Sequence, residues 1–370
     1  RFPEFSGEWE EEQLDSIATL SKGIGISKEQ LSEDGEPCIL YGELYTKYKS
    51  EIIKQVESKT DIDCSKLKRS KANDVIIPCS GETAVDIATA RCVPFDNILL
   101  GGDLNIISLH KYDGAFMSYQ LNGKRKYDIA RVAQGVSVVH LYGEHLKAIK
   151  TYNPSLPEQQ KIAKLLSLID ERIATQNKII EDLKKLKSAI RKKIFSLLKD
   201  EYTKSFEINQ LLDYEQPTAY IVANDEYSTD TRLTPVLTAN KGFILGYTDE
   251  KNGIYQKGAC IIFDDFTMDA KYVSFPFKVK SSAIKILTAK PNVNLRFMFE
   301  YLSHWELKSE EHKRHYISEI SPLVIELPSK EKQNIIALLM TSLNNKLTIE
   351  EKAKIRYEVQ KGYLLSQMFI

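Results

Sequence analysis

The sequence predicts an α/β (α+β) protein in which two globular units are joined by two long antiparallel coiled-coil helices, an internal duplication with pseudo-twofold symmetry. Three observations predict it. The stretch 157–198 has no Gly and no internal Pro, and its apolar residues recur at alternating steps of four and three: Ile162, Leu166, Ile169, Ile173, then Ile180, Leu183 and Ile190. That is a coiled-coil seam. A related stretch closes the chain from Pro328, with a less clean seam through Leu339, Leu343, Leu347, Tyr357, Leu364 and Met368. Each is preceded by short β-rich runs broken by turn clusters.

With 370 residues, 42% hydrophobic and 28% charged, the chain can hold two ordinary domains and a connecting element. The expected boundaries are a first unit over 1–150, a long helix over 151–200, a second unit over 201–327 and a second long helix over 328–370. No run approaches about twenty apolar residues, and the start is acidic and aromatic. Neither a membrane span nor a signal peptide is expected, so the expected location is cytoplasmic. Arg1 in place of Met predicts that residues are missing from the start. Cys38, Cys64, Cys79, Cys92 and Cys260 form no C-x-x-C pair, which predicts reduced structural thiols. A formal net charge of +0 leaves a nucleic-acid partner open, because the distribution of charge matters more than its sum.

In the first unit the strand signals are 75–78, 98–100, 105–109 and 137–141, rich in Val, Ile and Leu and bounded by Gly, Asp and Asn. Helices are expected over 114–121 and 127–133. Gly101-Gly102-Asp103 reads as a turn, and Leu121-Asn122-Gly123-Lys124 as a hairpin or an exposed tip. A proline-bearing hinge over 152–157 leads into the first long helix, where Pro157 suits the first turn and Glu158 the positive end of the dipole. The basic run 184–193 suits the opposite pole and reads as a solvated flank in preference to a DNA-facing surface. Some forty residues at 1.5 Å each span roughly 60 Å. Such a strut needs a partner for its apolar stripe. Gln176 either fixes its register or lies outside the seam.

In the second unit strands are expected over 234–237, 242–245, 259–263, 272–275 and 283–287, with a helix over 294–302. The two long stretches then align: Glu158 with Glu331, Gln160 with Gln333, Ile162 with Ile335, Leu165-Leu166 with Leu338-Leu339, and Leu156-Pro157 with Leu327-Pro328. After a one-residue slip the match runs from Ile173 with Leu347 to Phe195 with Phe369. The simplest burial of both stripes is against one another.

Catalytic motifs are weak. Asp264, Asp269 and Lys271 loosely match a metal-dependent nuclease, a spacing common by chance; Asn153-Pro154-Ser155 falls short of an amino-methyltransferase motif. Lys22-Gly23-Ile24-Gly25 lacks the third Gly of a dinucleotide site, and there is no Walker motif. A non-catalytic chain with no cofactor or metal of its own is expected.

Leu156-Pro157-Glu158-Gln159-Gln160-Lys161-Ile162-Ala163, its repeat near Leu327-Pro328, and the runs 39–46, 74–78, 238–244 and 278–283 together resemble the specificity subunits of type I restriction-modification systems. The resemblance covers nearly the whole chain. It implies two target-recognition domains, each reading half of a bipartite site in double-stranded DNA. It also implies that the helices set the spacer and dock two methyltransferase subunits, and that motor-nuclease restriction subunits complete a complex using S-adenosylmethionine, ATP and Mg. Sequence readout needs polar loop side chains at base edges, with Lys and Arg on phosphates. The candidates in the first unit are Tyr41, Tyr45, Thr46, Tyr48 and Lys49, with Lys124, Arg125, Lys126 and Arg131; in the second they are Asn240, Lys241, Lys280, Ser281, Ser282, Lys313, Arg314, His315 and Tyr316. Against this stands packing of the tyrosines and solvation of the charges. The rival reading from another class is a coiled-coil scaffold whose globular units bind protein or RNA.

Overall fold

The structure, a computed structural model, describes residues 2–136, 138–198, 203–238, 242–305 and 315–369. It divides into two compact units, Arg1–Lys178 with Glu351–Ile370, and Ile179–Glu350. Both long helices contribute to both units.

The first unit runs β1 (Glu10–Gln13), α1 (Leu14–Ile17), β2 (Ala18–Lys22), β3 (Glu36–Ile39), α2 (Glu43–Thr46), β4 (Lys59–Thr60), β5 (Lys68–Arg69) and β6 (Asp74–Pro78). It continues through β7 (Ser80–Gly81), α3 (Ala84–Ile87), β8 (Arg91–Val93), β9 (Leu99–Leu100), β10 (Leu104–Leu109) and α4 (Gly114–Asn122). Then come α5 (Lys126–Val132), β11 (Val139–His140), α6 (Gly143–Lys147), β12 (Lys150–Asn153) and the long α7 (Leu156–Leu198). The main sheet has the antiparallel order β2-β10-β6-β8. Alternate residues point to opposite faces of a strand. Val75, Ile77 and Ile107 accordingly join one core with Met117 and Leu121, while Ile76 and Ile106 join another with Ile39, Leu44 and Ile53. A sheet covered on both faces explains why 75–77 is apolar without alternation.

The second unit follows with β13 (Lys204–Glu207), α8 (Ile208–Leu211), β14 (Leu212–Glu215), β15 (Thr234–Leu237), β16 (Ile244–Thr248) and β17 (Cys260–Asp264). It ends with β18 (Ala270–Val273), β19 (Lys278–Val279), β20 (Ile284–Ala289), α9 (Leu295–His304), β21 (Val324–Leu327) and the long α10 (Lys330–Gln367). Its sheet, β14-β20-β17-β18, repeats the first in order and direction. The parallel pair β3 with β9 recurs as β15 with β19, and β1 with β12 as β13 with β21.

The same cap recurs in both units. Asp113 accepts from Phe116 N at 2.7 Å to start α4, and Asn294 accepts from Phe297 N at 3.0 Å to start α9. The backbone amide of each cap donates to a buried glutamine on the facing long helix, Asp113 to Gln159 Oε1 (2.9 Å) and Asn294 to Gln333 Oε1 (2.8 Å). Each glutamine Nε2 donates back to a proline carbonyl, Pro154 at 2.8 Å and Pro328 at 2.9 Å. Replacing Gln159 or Gln333 by Ala leaves a buried N–H and C=O unpaired in the affected unit. Each change is expected to cost about 2 kcal/mol, read from urea unfolding midpoints.

These bonds correct the register of the duplication. Pro154 matches Pro328, Gln159 matches Gln333, Ile162 matches Ile336, Ala163 matches Ala337 and Leu166 matches Met340, with no slip before Phe195 and Phe369. The inward residues of α10 are Ile336, Ala337 and Met340; Ile335, Leu338 and Leu339 are 60%, 70% and 43% exposed. Leu339 therefore does not belong to the seam, because Met340 occupies the inward position one residue on. Of the other expected seam residues, Ile162, Leu166, Ile169 and Ile180 are buried, and Ile173, Leu183, Ile190, Leu343, Leu347 and Leu364 are half-buried. Gln176 is buried and lines a groove with Leu168 and Tyr357, so it lies within the seam.

Helix pairing is antiparallel within each unit. In the first, Ile162, Ala163 and Leu166 from the start of α7 pack with Phe369 beyond the end of α10, and with Phe116 and Tyr119 of α4. In the second, Phe195 and Leu198 share a core with Ile336 and Met340. Polar groups join these contacts. Lys361 of α10 is ion-paired with Glu51 and, at 2.7 Å, with Asp170 of α7, whose carboxylate also accepts from Tyr119 (2.6 Å) and Ser50 (3.1 Å). In the second unit the fully buried Glu300 of α9 receives Arg191 at 2.7 Å and Asn344 at 3.3 Å. Burial lowers Lys187 below its ordinary range against the pull of Glu300. The basic run is thus divided, with Lys187 and Arg191 turned inward and Lys185 and Lys193 exposed.

The 121–124 segment is neither hairpin nor free tip. It ends α4, Asn122 bonds Ala90 N and O at 2.8 Å each, and a Cβ at Gly123 would meet Leu365 O at 3.2 Å. Lys22-Gly23-Ile24-Gly25 serves a close backbone approach, since a Cβ on Gly23 would lie 1.9 Å from Gly101 O. All five cysteines are unpaired. Burial pushes the thiols of Cys38 and Cys79 up to about 11 and those of Cys92 and Cys260 up to about 12.

Candidate nucleic-acid interface

β3 delivers the chain to Leu40, whose amide donates to Glu43 Oε2 at 2.9 Å and so starts the single turn of α2. That turn carries Tyr41, Tyr45 and Thr46, followed by Lys49, to one wall of a cleft of about 740 Å³. The rest of the lining includes Ser80, Gly81, Glu82, Asp86, Thr89, Arg91 and Val138. The walls are tied by Tyr45, whose hydroxyl donates to Ser80 O at 3.0 Å. A Cβ on Gly81 would sit 2.9 Å from the Tyr45 hydroxyl oxygen, so a larger residue there would displace the phenol. Burial pushes the Tyr45 phenol up, which keeps it a donor. Lys49 Nζ donates to Tyr45 O (2.7 Å), Thr46 Oγ1 to Gly42 O (3.0 Å), and Thr83 Oγ1 to Asp86 Oδ2 (2.6 Å).

Four of the nine first-unit candidates, Tyr41, Tyr45, Thr46 and Lys49, thus share one concave surface. Tyr48 does not; it is buried with Ile39, Leu44 and Ile53, because the turn of α2 points it into the core. Lys124, Arg125, Lys126 and Arg131 do not line the cleft; the first three lie at the α4–α5 corner and Arg131 near the end of α5. Asp128 binds both Arg125 (3.2 Å) and Arg131 (3.1 Å), and Arg125 stacks on Tyr152 at 5.1 Å. The far wall, Ser80 to Asp86, was not among the candidates. Its sequence signal is a Ser-Gly-Glu-Thr cluster directly after an apolar strand, the pattern of a functional loop.

In the second unit Lys280 and Ser281 are exposed and Ser282 half-buried at the end of β19. Lys280 N donates to Leu237 O at 2.9 Å, which sets these residues beside the end of β15, as Tyr41 follows the end of β3. Lys280 Nζ lies 4.0 Å from Asp225. Asn240, Lys241, Lys313 and Arg314 lie outside the described residues. His315 and Tyr316 are buried, at 3% and 1% exposure, and cannot present themselves to a ligand. Their amides donate to Asp265 O and Oδ1, and His315 Nδ1 is 2.8 Å from Glu319, so they pin a turn against the core. Asp264, the carboxylate weighed for nuclease chemistry, is also buried; its Oδ1 accepts from Phe266 N (2.8 Å) and Thr267 N (3.1 Å) and shapes the β17–β18 turn.

A family model described as the type I restriction modification DNA specificity domain matches residues 6–185 and again 200–359. The chain belongs to that family. Among curated relatives, the specificity subunit of the Escherichia coli type I restriction enzyme EcoR124I/EcoR124II is 39% identical over 178 residues, 43% of this chain and 43% of that protein. A putative type I restriction enzyme MjaX specificity subunit from Methanocaldococcus jannaschii is 25% identical over 251 residues, 60% of this chain and 58% of its own. The chain spans about half the length of the curated relatives it matches. By fold it is similar to the S subunit of a type I restriction-modification system from M. genitalium, with TM-score 0.69, 17% identity, and coverage of 100% of this chain and 98% of that one.

The two matched segments of this specificity-family chain, alike in topology, differ around the cleft. Between β6 and β8 the first unit inserts residues 79–90, carrying β7 and α3, whereas β17 and β18 are joined by 265–269 alone. The cleft's far wall is built from that insertion, and β7 is fixed by pairing with β11.

Proposed function

We propose that this chain is the non-catalytic DNA-reading subunit of a type I restriction-modification complex, each unit reading one half of a bipartite duplex target. The long helices set the interval between halves and dock two methyltransferase subunits; motor-nuclease subunits join to form the restriction enzyme. S-adenosylmethionine, ATP and Mg serve those partners, and the complex acts in the cytoplasm. The observation that carries this reading is a duplicated fold whose matching strands are joined by unlike loops, 79–90 in one unit and 265–269 in the other. Two readers of one topology on common helices suit two half-sites at a fixed spacing, as dimer geometry fixes half-site spacing elsewhere, and their different loops suit different bases.

The deciding experiment is co-expression with the cognate methyltransferase subunit and mapping of modified adenines. An asymmetric split motif is expected; a methylome without one overturns the reading. Binding by the purified chain is expected to favour duplex DNA over single-stranded RNA and to weaken steeply with salt as phosphate counterions are released. RNA binding of equal strength favours a scaffold in its place.

A further inference from the structure

We propose that Glu82 is a base-reading residue of the first unit and that it selects a C·G pair by accepting a hydrogen bond from the cytosine N4 amino group. This deepens the DNA-reading function above and rests on it. Glu82 is exposed, lines the cleft, and makes no hydrogen bond or ion pair among the described residues. The neighbouring carboxylate, Asp86, is already engaged by the Thr83 hydroxyl. Lys49 spends one donor on Tyr45 O and keeps the others for a phosphate or base acceptor.

A carboxylate beside DNA repels phosphates and adds nothing to general affinity. Its favourable use is to accept from an amino group on a base edge. In the major groove cytosine offers N4 with no acceptor of its own beside it, while adenine sets N7 next to N6 and guanine presents N7 and O6. An acceptor-only side chain is repelled by the last two and fits cytosine. Glu82 also lies on the inserted segment 79–90, for which the second unit has only the short turn 265–269, so its influence is confined to one half-site.

The test uses the complete methyltransferase complex carrying Glu82→Gln, with adenine modification mapped genome-wide and binding measured on duplexes varied at each position. A glutamine donates as well as accepts and pairs bidentately with adenine N6 and N7. The expected result is a change at one position of one half-site, from C toward A, with discrimination against A falling roughly tenfold or more while the other half-site and the spacer are unchanged. Glu82→Ala is expected to relax the same position without a new preference. An unaltered motif overturns the assignment, as does a uniform loss of binding on all duplexes or a change in both half-sites. If the wild-type complex shows no split motif, the DNA-reading function itself fails; a split wild-type motif kept intact by Glu82→Gln removes only the role of Glu82.

Discussion

Replacing Lys361 by Ala is expected to destabilise the first unit by about 3 kcal/mol, since removing one partner of a buried ion pair strands the other charge. Lys361 is the cation shared by Glu51 and Asp170, whose side chains are 8% and 6% exposed. Burial holds the Glu51 carboxyl above its ordinary range even with the Lys361 ammonium opposing it, and Asp170 adds to the effect. Without Lys361 that opposition is gone and the folded-state value rises further. The native state then binds more protons than the unfolded chain, so stability falls as pH rises through this interval. The penalty is therefore expected to be largest at neutral pH and to shrink as the pH is lowered toward the ordinary carboxylate range. Adding Glu51→Gln to Lys361→Ala should restore part of the loss at neutral pH. Urea unfolding of the single and double variants across pH checks both; a penalty independent of pH would remove the electrostatic account. Lys361 also joins α10 to α7 and to the loop between α2 and β4, so the variant is expected to loosen the grip of the first unit on the helix pair, read as faster amide exchange at the start of α7.

The long helices and their antiparallel pairing were legible because apolar periodicity over some forty residues is a strong signal. The register between them was not. Glu158 and Gln160 match Glu331 and Gln333 as letters, yet Gln159 is the residue that turns inward to bond Pro154 O and the Asp113 amide. Letter identity favoured one alignment, and the inward face required the other. Likewise the polar interruptions in the seam of α10 include Asn344 and Lys361, which are held inside by Glu300, Glu51 and Asp170 from distant parts of the chain. Hydrophobic patterning carries no trace of such partners. In the first unit the same limit separates Tyr45 from Tyr48: they stand three residues apart, on and just past one short helical turn, and only the packing shows that one reaches Ser80 and the other enters the core. The insertion at 79–90 could have been noticed as turn chemistry, but its role as a wall depends on β11 pairing with β7 across a long stretch of sequence.

Inserting seven residues into α7 after Gln176 and seven into α10 before Tyr357 is expected to lengthen the spacer of the target by roughly three base pairs without changing the bases of either half. Gln176 and Tyr357 line one groove between the helices, so the two insertions face each other and keep the seam in phase. Seven helical residues add about 10 Å at 1.5 Å each, and duplex DNA advances about 3.4 Å per pair along one strand. Three pairs also turn the duplex by roughly 100°, at 10 to 10.5 pairs per turn, whereas a heptad rotates a straight helix by only about 20°. The displaced half-site must therefore be met by twisting the DNA or the helix pair, and modification at the relocated motif is expected to be slower than at the original one. An insertion of four residues in each helix adds about 6 Å, nearer two pairs, and tests whether length or helical phase dominates. Methylome mapping of both insertion variants reads motif and spacer together. Altered bases at an unchanged spacing would show that the helices position the reading loops without measuring the distance between half-sites.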